Sequence, residues 1–426
     1  MTGWNKIGLI AALGVALAGC DTSGSIDPPE DQFFVKFYGG EGNQEGVDLV
    51  ENPDGTITLF GNSQSLNDGS QLFLVNVRQD GSIVWEKTFG SPLNEWAKDM
   101  ELTIDGRLVI VADVENTIGE RDILIMTLTL DGNEIASNIT GFNTLGIPTD
   151  EIAISVTQSS DGFLVAGSTS NLDLKPIGSG VSNDTRDALH LRYFDDLTIF
   201  PNTWRQAHGP GDFDEGVKVI QVSPSLFYFF GSSNTQSGDF NFYVLGLGAT
   251  GETNQTDNFL PGIPASNEML SSVILSPAQA GEGFLLTGIT SSAPGVKDVF
   301  AVKLRKALTF TNSDFLFQKT LSINLLDIAH DKVAAFAPLS SGFLIVTNER
   351  STGPQNLLLT KISNEGNLVW TTPPFFTFGS ALDDRIGAVI EMSDERIGIV
   401  GTMAVGAEGE TKMTLIKVNK DGKFLE

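Results

Sequence analysis

Residues 72–106, LFLVNVRQDGSIVWEKTFGSPLNEWAKDMELTIDG, contain the pattern that decides the fold. Short apolar runs alternate there with turns and loops: run 72–77, turn Asp80-Gly81, run 84–89, loop 90–94, run 96–103 and turn Asp105-Gly106. Asp-Gly between alternating apolar runs is the strongest short-range signal for a β-hairpin. The stretch therefore predicts an antiparallel sheet whose strands follow one another along the chain.

The same unit recurs along the chain. The end of the second strand of each copy marks the repeat, and it falls at Gly61, Ala112, Gly167, Gly231, Gly288, Thr347 and Gly401. These seven copies are spaced much like propeller blades, which take roughly 40 to 50 residues each. Glycine at this point is expected to let neighbouring strands approach closely, and its replacement in two copies shows that it is favoured rather than essential.

A third strand follows each marker, and an aromatic or bulky outer strand precedes each copy. The predicted third strands are 72–77, 123–128, 188–193, 240–245, 299–304, 357–362 and 413–418. The predicted outer strands are 34–38, 85–89, 135–140, 204–208, 258–260, 317–321 and 370–378, and their tryptophans Trp85, Trp204 and Trp370 are expected to pack between blades.

The two ends of the array predict how it closes. The last copy has no outer strand after residue 418, whereas the chain begins its first copy with an extra outer strand at 34–38. An open array would leave unpaired sheet edges at both ends, which is a liability. We therefore predict an all-β, seven-bladed β-propeller of four-stranded antiparallel blades over residues 33–426, closed by the N-terminal strand pairing with the last blade.

Composition narrows the class of partner. The 426 residues carry a formal charge of −27 and include 46 glycines and 28 phenylalanines. Binding to nucleic acid requires Lys and Arg side chains that displace counterions from phosphates. A strongly acidic chain is repelled by nucleic acid, so no nucleic-acid partner is expected.

The N-terminus predicts export. Lys6 precedes an apolar run at 7–17 that is too short to span a bilayer, and small residues lead to Cys20, the only cysteine. Leu17-Ala18-Gly19-Cys20 resembles the bacterial lipobox, which implies cleavage before Cys20 and its modification with acyl chains such as palmitate. We expect a signal peptide at 1–19 and a lipidated Cys20 with a flexible acidic tether over 20–32. The alternative is a plain secretory signal.

The repeats resemble two groups of known sequences. Residues 39–61 and 149–167 resemble bacterial propeller repeats of the SBBP type, and 80–90 and 365–379 resemble repeats of PQQ-like and lipoprotein propellers. The resemblance covers everything after residue 32 and implies a propeller fold. It implies little about activity, because propellers host many functions.

An acidic residue precedes each predicted inner strand: Glu45, Glu95, Asp150 with Glu151, Asp214 with Glu215, Glu268, Asp331, and Asp383 with Asp384. A functional interpretation is a charged ring that binds a cation or a basic segment. The structural interpretation, which we favour because the feature recurs in every copy, is that each carboxylate accepts backbone N–H groups of its own loop.

Neither a metal site nor a catalytic residue is predicted, and no cofactor is expected. The three histidines, His190, His208 and His330, lie in different segments, although His190 and His208 could be neighbours on adjacent strands of the third copy. The sequence contains no nucleophile elbow, no P-loop and no calcium-loop pattern. A pair of acidic residues meeting in the central funnel stays possible as an acid and base.

The one clear insertion, 168–186, lies between a second and a third strand. Long loops on a rigid scaffold often carry binding, and the alternative is a tolerated surface insertion. Its polar residues are the candidate binding residues: Asn171, Asp173, Lys175, Asn183, Asp184 and Arg186.

Together these features predict a lipid-anchored protein of the bacterial cell envelope, on the periplasmic or surface side of a membrane. We expect it to bind or scaffold another envelope or surface protein. The alternative is a carbohydrate-binding, hydrolytic or lyase propeller that uses the central funnel.

Overall fold

The computed structural model describes residues 33–64, 69–142, 149–171, 174, 186–201, 204–209, 213–234, 239–259, 261–263, 266–277, 281–293, 296–326, 332–336, 342–349, 353–405 and 409–424. Within them the chain forms 28 strands in seven four-stranded antiparallel sheets. One 3-10 turn, Asn312–Asp314, lies before strand β21. The predicted all-β, seven-bladed propeller is confirmed.

Each blade runs from an inner strand at the channel to an outer strand at the rim. Blade 1 is β2 to β5 (Asn43–Glu51, Ile57–Gln64, Ser70–Val77, Ile83–Phe89); blade 2 is β6 to β9 (Glu95–Leu102, Leu108–Glu115, Arg121–Leu128, Glu134–Thr140); blade 3 is β10 to β13 (Glu151–Ser159, Gly162–Thr169, Asp187–Phe194, Arg205–His208); blade 4 is β14 to β17 (Asp214–Ser223, Leu226–Asn234, Phe240–Gly248, Thr253–Phe259). Blade 5 is β18 to β21 (Asn267–Ser276, Gly283–Ala293, Val296–Arg305, Phe315–Leu326); blade 6 is β22 to β25 (Val333–Phe336, Phe343–Glu349, Asn356–Ile362, Phe376–Phe378); blade 7 is β26 to β28 with β1 outermost (Arg385–Glu391, Ile397–Val405, Glu410–Val418, Phe34–Tyr38).

The ring closes as predicted. Strand β1 pairs antiparallel with β28, from Phe34 opposite Lys417 to Tyr38 opposite Met413. Phe34 and Tyr38 are buried, and the Tyr38 hydroxyl donates to the Gly81 carbonyl of blade 1 at 3.0 Å. The first strand therefore completes blade 7 and also joins it to blade 1.

Hydrophobic clusters fill the spaces between blades. The second and third strands of each blade are buried on both faces, which explains their near-continuous apolar runs. One cluster joins β7 and β8 of blade 2 to β10, β11 and β12 of blade 3 through residues such as Val111, Ile125 and Phe163. The core is thus a series of seams between neighbouring blades, and each blade depends on the next.

The marker glycines are explained by close backbone contact. A Cβ at Gly61 would lie 1.8 Å from the Glu45 carbonyl oxygen, and one at Gly167 would lie 2.0 Å from that of Ile152. The second strand therefore passes very close to the inner strand of its own blade. This is the close approach that the sequence predicted.

In five of the seven blades, a polar side chain directly after the marker joins the blade to the next. Asn62 accepts the Ala97 N–H of blade 2 at 2.9 Å and donates to the Glu95 carbonyl at 2.8 Å. The equivalent side chains bond to the next inner strand: Asp113 to the N–H of Ala153, Ser232 to that of Leu270, Asn348 to that of Ile386, and Thr402 to that of Gly46. We call these five residues, with Asn62 among them, the clamp residues.

The outer strands and Asp-Gly-type turns form a second set of seam contacts. Gly132 of blade 2 lies under Trp85 of blade 1, and Gly422 of blade 7 lies under Phe376 and Trp370 of blade 6. The Trp204 indole of blade 3 donates to the Ala249 carbonyl in the turn of blade 4 at 3.1 Å. The predicted packing role of the three tryptophans is confirmed.

Candidate functional site: the mouth of the central channel

The inner strands share an irregularity that turns side chains into the channel. In six of them, the pairing with the second strand of the blade shifts by one residue at the same position, which leaves one residue of the inner strand unpaired. These unpaired residues are Val47, Lys98, Ile154, Val217, Ser271 and Gly387. A bulge of this kind re-aims a side chain. All six residues line the central channel.

The upper end of the channel, where the inner strands begin, is a cavity of about 400 Å³ that we call the mouth. Five charged side chains from five blades line it: Glu45, Lys98, Glu215, Lys332 and Arg385. Val47, Ile154, Val217 and Leu270 supply an apolar wall. Three cations converge here although the whole chain carries a charge of −27.

Most of these charges have partners. Lys98 Nζ lies 2.9 Å from Oδ2 of the buried Asp113, so it is paired with that carboxylate. Lys98 and Arg186 act on Glu215, but burial is the larger effect and raises the pKa of that carboxyl. The Arg385 guanidinium lies 3.8 Å from Glu45 Oε1, which is too long for a hydrogen bond.

Lys332 stands apart from the other cations of the mouth. Among the described residues, its Nζ reaches only the Val47 carbonyl, at 3.5 Å, and no carboxylate of those residues lies within ion-pair distance of it. Burial lowers the pKa of Lys332, while the charges of Asp48, Asp99 and Glu45 act in the opposite direction. The mouth therefore holds an ammonium group that no described carboxylate contacts directly.

A deeper layer of the channel holds Asp48, Asp99 and Lys218. Burial raises the pKa of Asp48 well above its usual value, and the charge of the neighbouring Asp99 raises it further. Lys218 Nζ lies 3.1 Å from Asp99 Oδ2.

The two aspartates also hold blades together. Asp48 accepts the Met100 N–H of blade 2 at 2.9 Å, and Asp99 accepts the Val156 N–H of blade 3 at 2.9 Å. Their geometry thus favours a structural role over the acid and base pair left open by the sequence.

The acidic residues before the inner strands follow the structural interpretation in several blades. Glu95 accepts from the Ser91 N–H, Glu151 from the Phe142 N–H, Glu268 from the Ile263 N–H and Asp384 from the Ser380 N–H, all within their own loops. Burial raises the pKa of Glu151 to about 7.

The first copy departs from that interpretation. Gln44 is buried and donates to the Glu41 carbonyl at 3.2 Å, so it takes the loop position in blade 1. Glu45 is one residue further along, and successive side chains of a strand point to opposite sides. Glu45 consequently lines the mouth. Asp331 lies outside the described residues.

His190 and His208 are neighbours, as the sequence allowed. They stack on adjacent strands of blade 3 with ring centroids 4.8 Å apart, and His208 Nε2 lies 3.0 Å from His190 Nδ1. Burial lowers the pKa of His208 well below its usual value. This is a packed pair, and no group of three or more His, Cys, Asp or Glu in the described residues is arranged to hold a metal ion. His330 lies outside those residues.

Only residues 168–171, 174 and 186 of the predicted binding loop are described. Asn171 is 2% exposed and donates to the Phe142 carbonyl at 3.0 Å, so it anchors the start of the loop. Arg186 bridges to Phe213, and its guanidinium lies 5.7 Å from that ring. Asp173, Lys175, Asn183 and Asp184 lie outside the described residues, as does Cys20.

Sequence reasoning missed both the clamp residues and the mouth. The clamp was detectable, because a polar side chain recurs directly after the marker inside an otherwise apolar strand. Lys332 and Arg385 carried no such signal, since they meet Glu45 and Lys98 only through closure of the ring.

No protein-family model and no curated protein matches the chain. A protein of unknown function from Dyadobacter fermentans is similar in structure, with 11% identity, a TM-score of 0.47 and coverage of 90% of this chain and 98% of that one. Extracellular domains 1–2 of Drosophila semaphorin 1a (10% identity, TM-score 0.46, 91% and 88%) and the plexin A4 extracellular region (11%, 0.48, 89% and 46%) are also similar. The low identities and TM-scores of these similarities assign no function to the chain.

Proposed function

We propose that the protein is a lipid-anchored envelope propeller that binds another envelope or surface protein on its upper face. The main observation behind the proposal is that the features that break the sevenfold repeat lie on that face. The mouth lies there, and so do both anchored ends of the 170–186 connection, which enters and leaves the ring at Asn171 and Arg186. Loops held by a rigid scaffold are a common binding device.

The position of strand β1, which follows the expected tether in the chain, supports this orientation. Strand β1 begins at Phe34 beside the Asp80-Gly81 turn, on the lower face, where the turns between first and second and between third and fourth strands lie. An anchor on Cys20 would hold the ring by that lower edge. The 14 residues from Cys20 to Phe34 span at most roughly 50 Å, and the upper face is directed away from the point of attachment.

The acidic surface and the rigidity of the ring also fit a scaffold. No membrane-spanning helix is found among the described residues. In this proposal the lipid on Cys20 supplies the attachment. Several acyl chains, each contributing about 0.8 kcal/mol per buried methylene, are sufficient for stable anchoring.

A pull-down from detergent-solubilised envelopes tests partner binding. A variant lacking residues 175–184, which keeps the anchors Asn171 and Arg186, should lose a partner that the wild type recovers. Ile104→Ser on the lower face, where Ile104 is 95% exposed, is the matched control and should retain it. Repeated failure of the wild type to recover any partner would contradict the proposal.

Fractionation tests the anchor separately. Cys20→Ser should move the protein from the membrane fraction to the soluble fraction, and labelling with an alkyne fatty acid should be lost. Equal membrane association of wild type and variant would overturn the lipid attachment without bearing on partner binding.

A further inference from the structure

We propose that the mouth of the channel is a binding site for a carboxylate group, held by Lys332 and Arg385. The site goes beyond the proposed partner surface, because it specifies a ligand chemistry that a small organic acid or the end of a polypeptide could supply. The inference begins with the hydrogen-bond donors that the fold leaves unused.

Lys332 and Arg385 have donor capacity to spare. An ammonium has three N–H donors and a guanidinium five. Lys332 Nζ makes one long contact to a carbonyl oxygen, and the nearest acceptor to Arg385 in the described residues is Glu45, at 3.8 Å. Ser271, which also lines the mouth, has a hydroxyl with no hydrogen bond to another described residue.

The positions of Lys332 and Arg385 allow both side chains to bind the same anion. Lys332 immediately precedes β22 of blade 6 and Arg385 begins β26 of blade 7, so adjacent blades present two cations to the same cavity. A planar guanidinium binds carboxylate in a bidentate manner, while an ammonium adds a point charge. The third cation, Lys98, is already engaged by Asp113.

The surroundings of the two cations strengthen such an interaction. Val47, Ile154, Val217 and Leu270 line the cavity with apolar surface. Charge-assisted hydrogen bonds are stronger where water is restricted, and a cation without a partner in such a place is costly. Asp48, the nearest deeper acid, is held with a raised pKa by burial and by Asp99, so it supplies less negative charge to Lys332 than an ordinary carboxylate would.

The volume of the mouth sets the class of ligand. About 400 Å³ is more than one carboxylate needs and is enough for a short aliphatic chain or a few peptide residues. Glu45 and Glu215 line the same cavity and disfavour a ligand with several negative charges. The fitting ligand carries one carboxylate on a short, largely uncharged body.

Calorimetric titration of the wild-type protein tests the site with three probes. These are acetyl-Gly-Gly-Ala with a free C-terminal carboxylate, the same peptide as its C-terminal amide, and butyrate as a small organic acid. We expect a carboxylate probe to bind and the amide to bind about tenfold more weakly or worse. Tighter binding of the peptide acid than of butyrate would identify a polypeptide end as the source, and the reverse order a free acid.

Variants show whether the named side chains hold the probe. Lys332→Gln and Arg385→Gln should each weaken carboxylate binding about tenfold or more. Lys420→Gln, at an exposed turn after β28, should leave it unchanged. Thermal unfolding of each variant checks its fold, and Arg385 is half exposed, so its replacement leaves the ring intact.

Two results would overturn the site: equal affinity of acid and amide, or full affinity in both Lys332→Gln and Arg385→Gln. Absence of binding of every carboxylate probe by the wild type would also overturn it. None of these results bears on the pull-down, so failure of this site and failure of the partner surface are distinguishable.

Discussion

The seams between blades and the mouth of the channel are built from the same strands but follow opposite rules. At the seams, equivalent positions carry similar groups, as with Asn62 and Asn348, or Gly132 and Gly422. At the mouth, equivalent positions differ, as with Glu45, Lys332 and Arg385. The comparison teaches that the repeated positions stabilise the ring and that the positions that break the repeat form the site we propose for binding.

Removal of β1 should produce the largest effect on the seams. Deletion of residues 33–38 removes the buried Phe34 and Tyr38 and leaves β28 as an unpaired edge. Because truncation of one buried aromatic costs about 3 to 5 kcal/mol, we expect a loss of more than about 5 kcal/mol or complete failure to fold. Urea unfolding followed by tryptophan fluorescence measures this, and Val35→Ser on the exposed side of the same strand is the control. Wild-type stability of the deletion would refute closure by β1.

The clamp residues should have the next largest effect. Asn62→Ala leaves the buried N–H of Ala97 and the carbonyl of Glu95 without their partner, which costs about 2 to 4 kcal/mol. Asn367→Ala, at an exposed turn in blade 6, is the control and should change the free energy of unfolding by less than about 0.5 kcal/mol. Equal losses in the two variants would show that the clamp position has no special role.

Acid should weaken the seam between blades 3 and 4 through His208. The pKa of His208 is lowered in the folded protein. Below about pH 6.5, His208 is therefore protonated in the unfolded chain but stays neutral in the folded ring. Stability should therefore fall by up to about 1.4 kcal/mol per pH unit as the pH drops from about 6.5 to 5. His208→Gln should make this fall shallower in urea unfolding measured across that range.

Glu151 provides a check with the opposite sign. The pKa of Glu151 is raised to about 7 in the folded protein. Between about pH 4.5 and 7, the folded protein therefore keeps a proton on Glu151 that the unfolded chain releases. Glu151 thus favours folding as the pH falls, and Glu151→Gln should make the acid-induced loss of stability steeper. Slopes that move in the same direction in the two variants would contradict both assignments.

The contact between turns and outer aromatics should have the smallest seam effect. Gly132 has φ +68°, and a Cβ there would lie 2.7 Å from the Trp85 ring. Gly55 has φ +81° and no atom within 4 Å of a Cβ, so Gly55→Ala costs only the backbone strain of about 1 kcal/mol. Gly132→Ala should cost about 1 to 2 kcal/mol more in thermal unfolding. Equal losses of stability in Gly132→Ala and Gly55→Ala would show that the contact between the turn and Trp85 does not contribute to stability.

The sequence predicted the seams far better than the mouth. Gly61 is explained by the close approach of two strands, and Asp80-Gly81 by a tight turn. Both requirements are local, so both leave a pattern that can be recognised in the sequence. Glu45 illustrates the limit: a shift of one residue relative to Gln44 moves a side chain from loop to channel, and the pattern does not resolve that shift. The meeting of residues 45, 98, 332 and 385 depends on closure of the whole ring, so local spacing carries no sign of it.

The most direct measurement compares two lysines by urea unfolding. Lys417 belongs to a seam: it is 1% exposed, and its Nζ lies 2.9 Å from the Gln79 carbonyl oxygen and 3.1 Å from Asp394. Lys417→Gln should lose about 2 to 4 kcal/mol of folding free energy, whereas Lys332→Gln should change it by less than about 0.5 kcal/mol or increase it. If Lys332→Gln destabilises the ring as much as Lys417→Gln, the division between stabilising seams and a binding mouth is wrong.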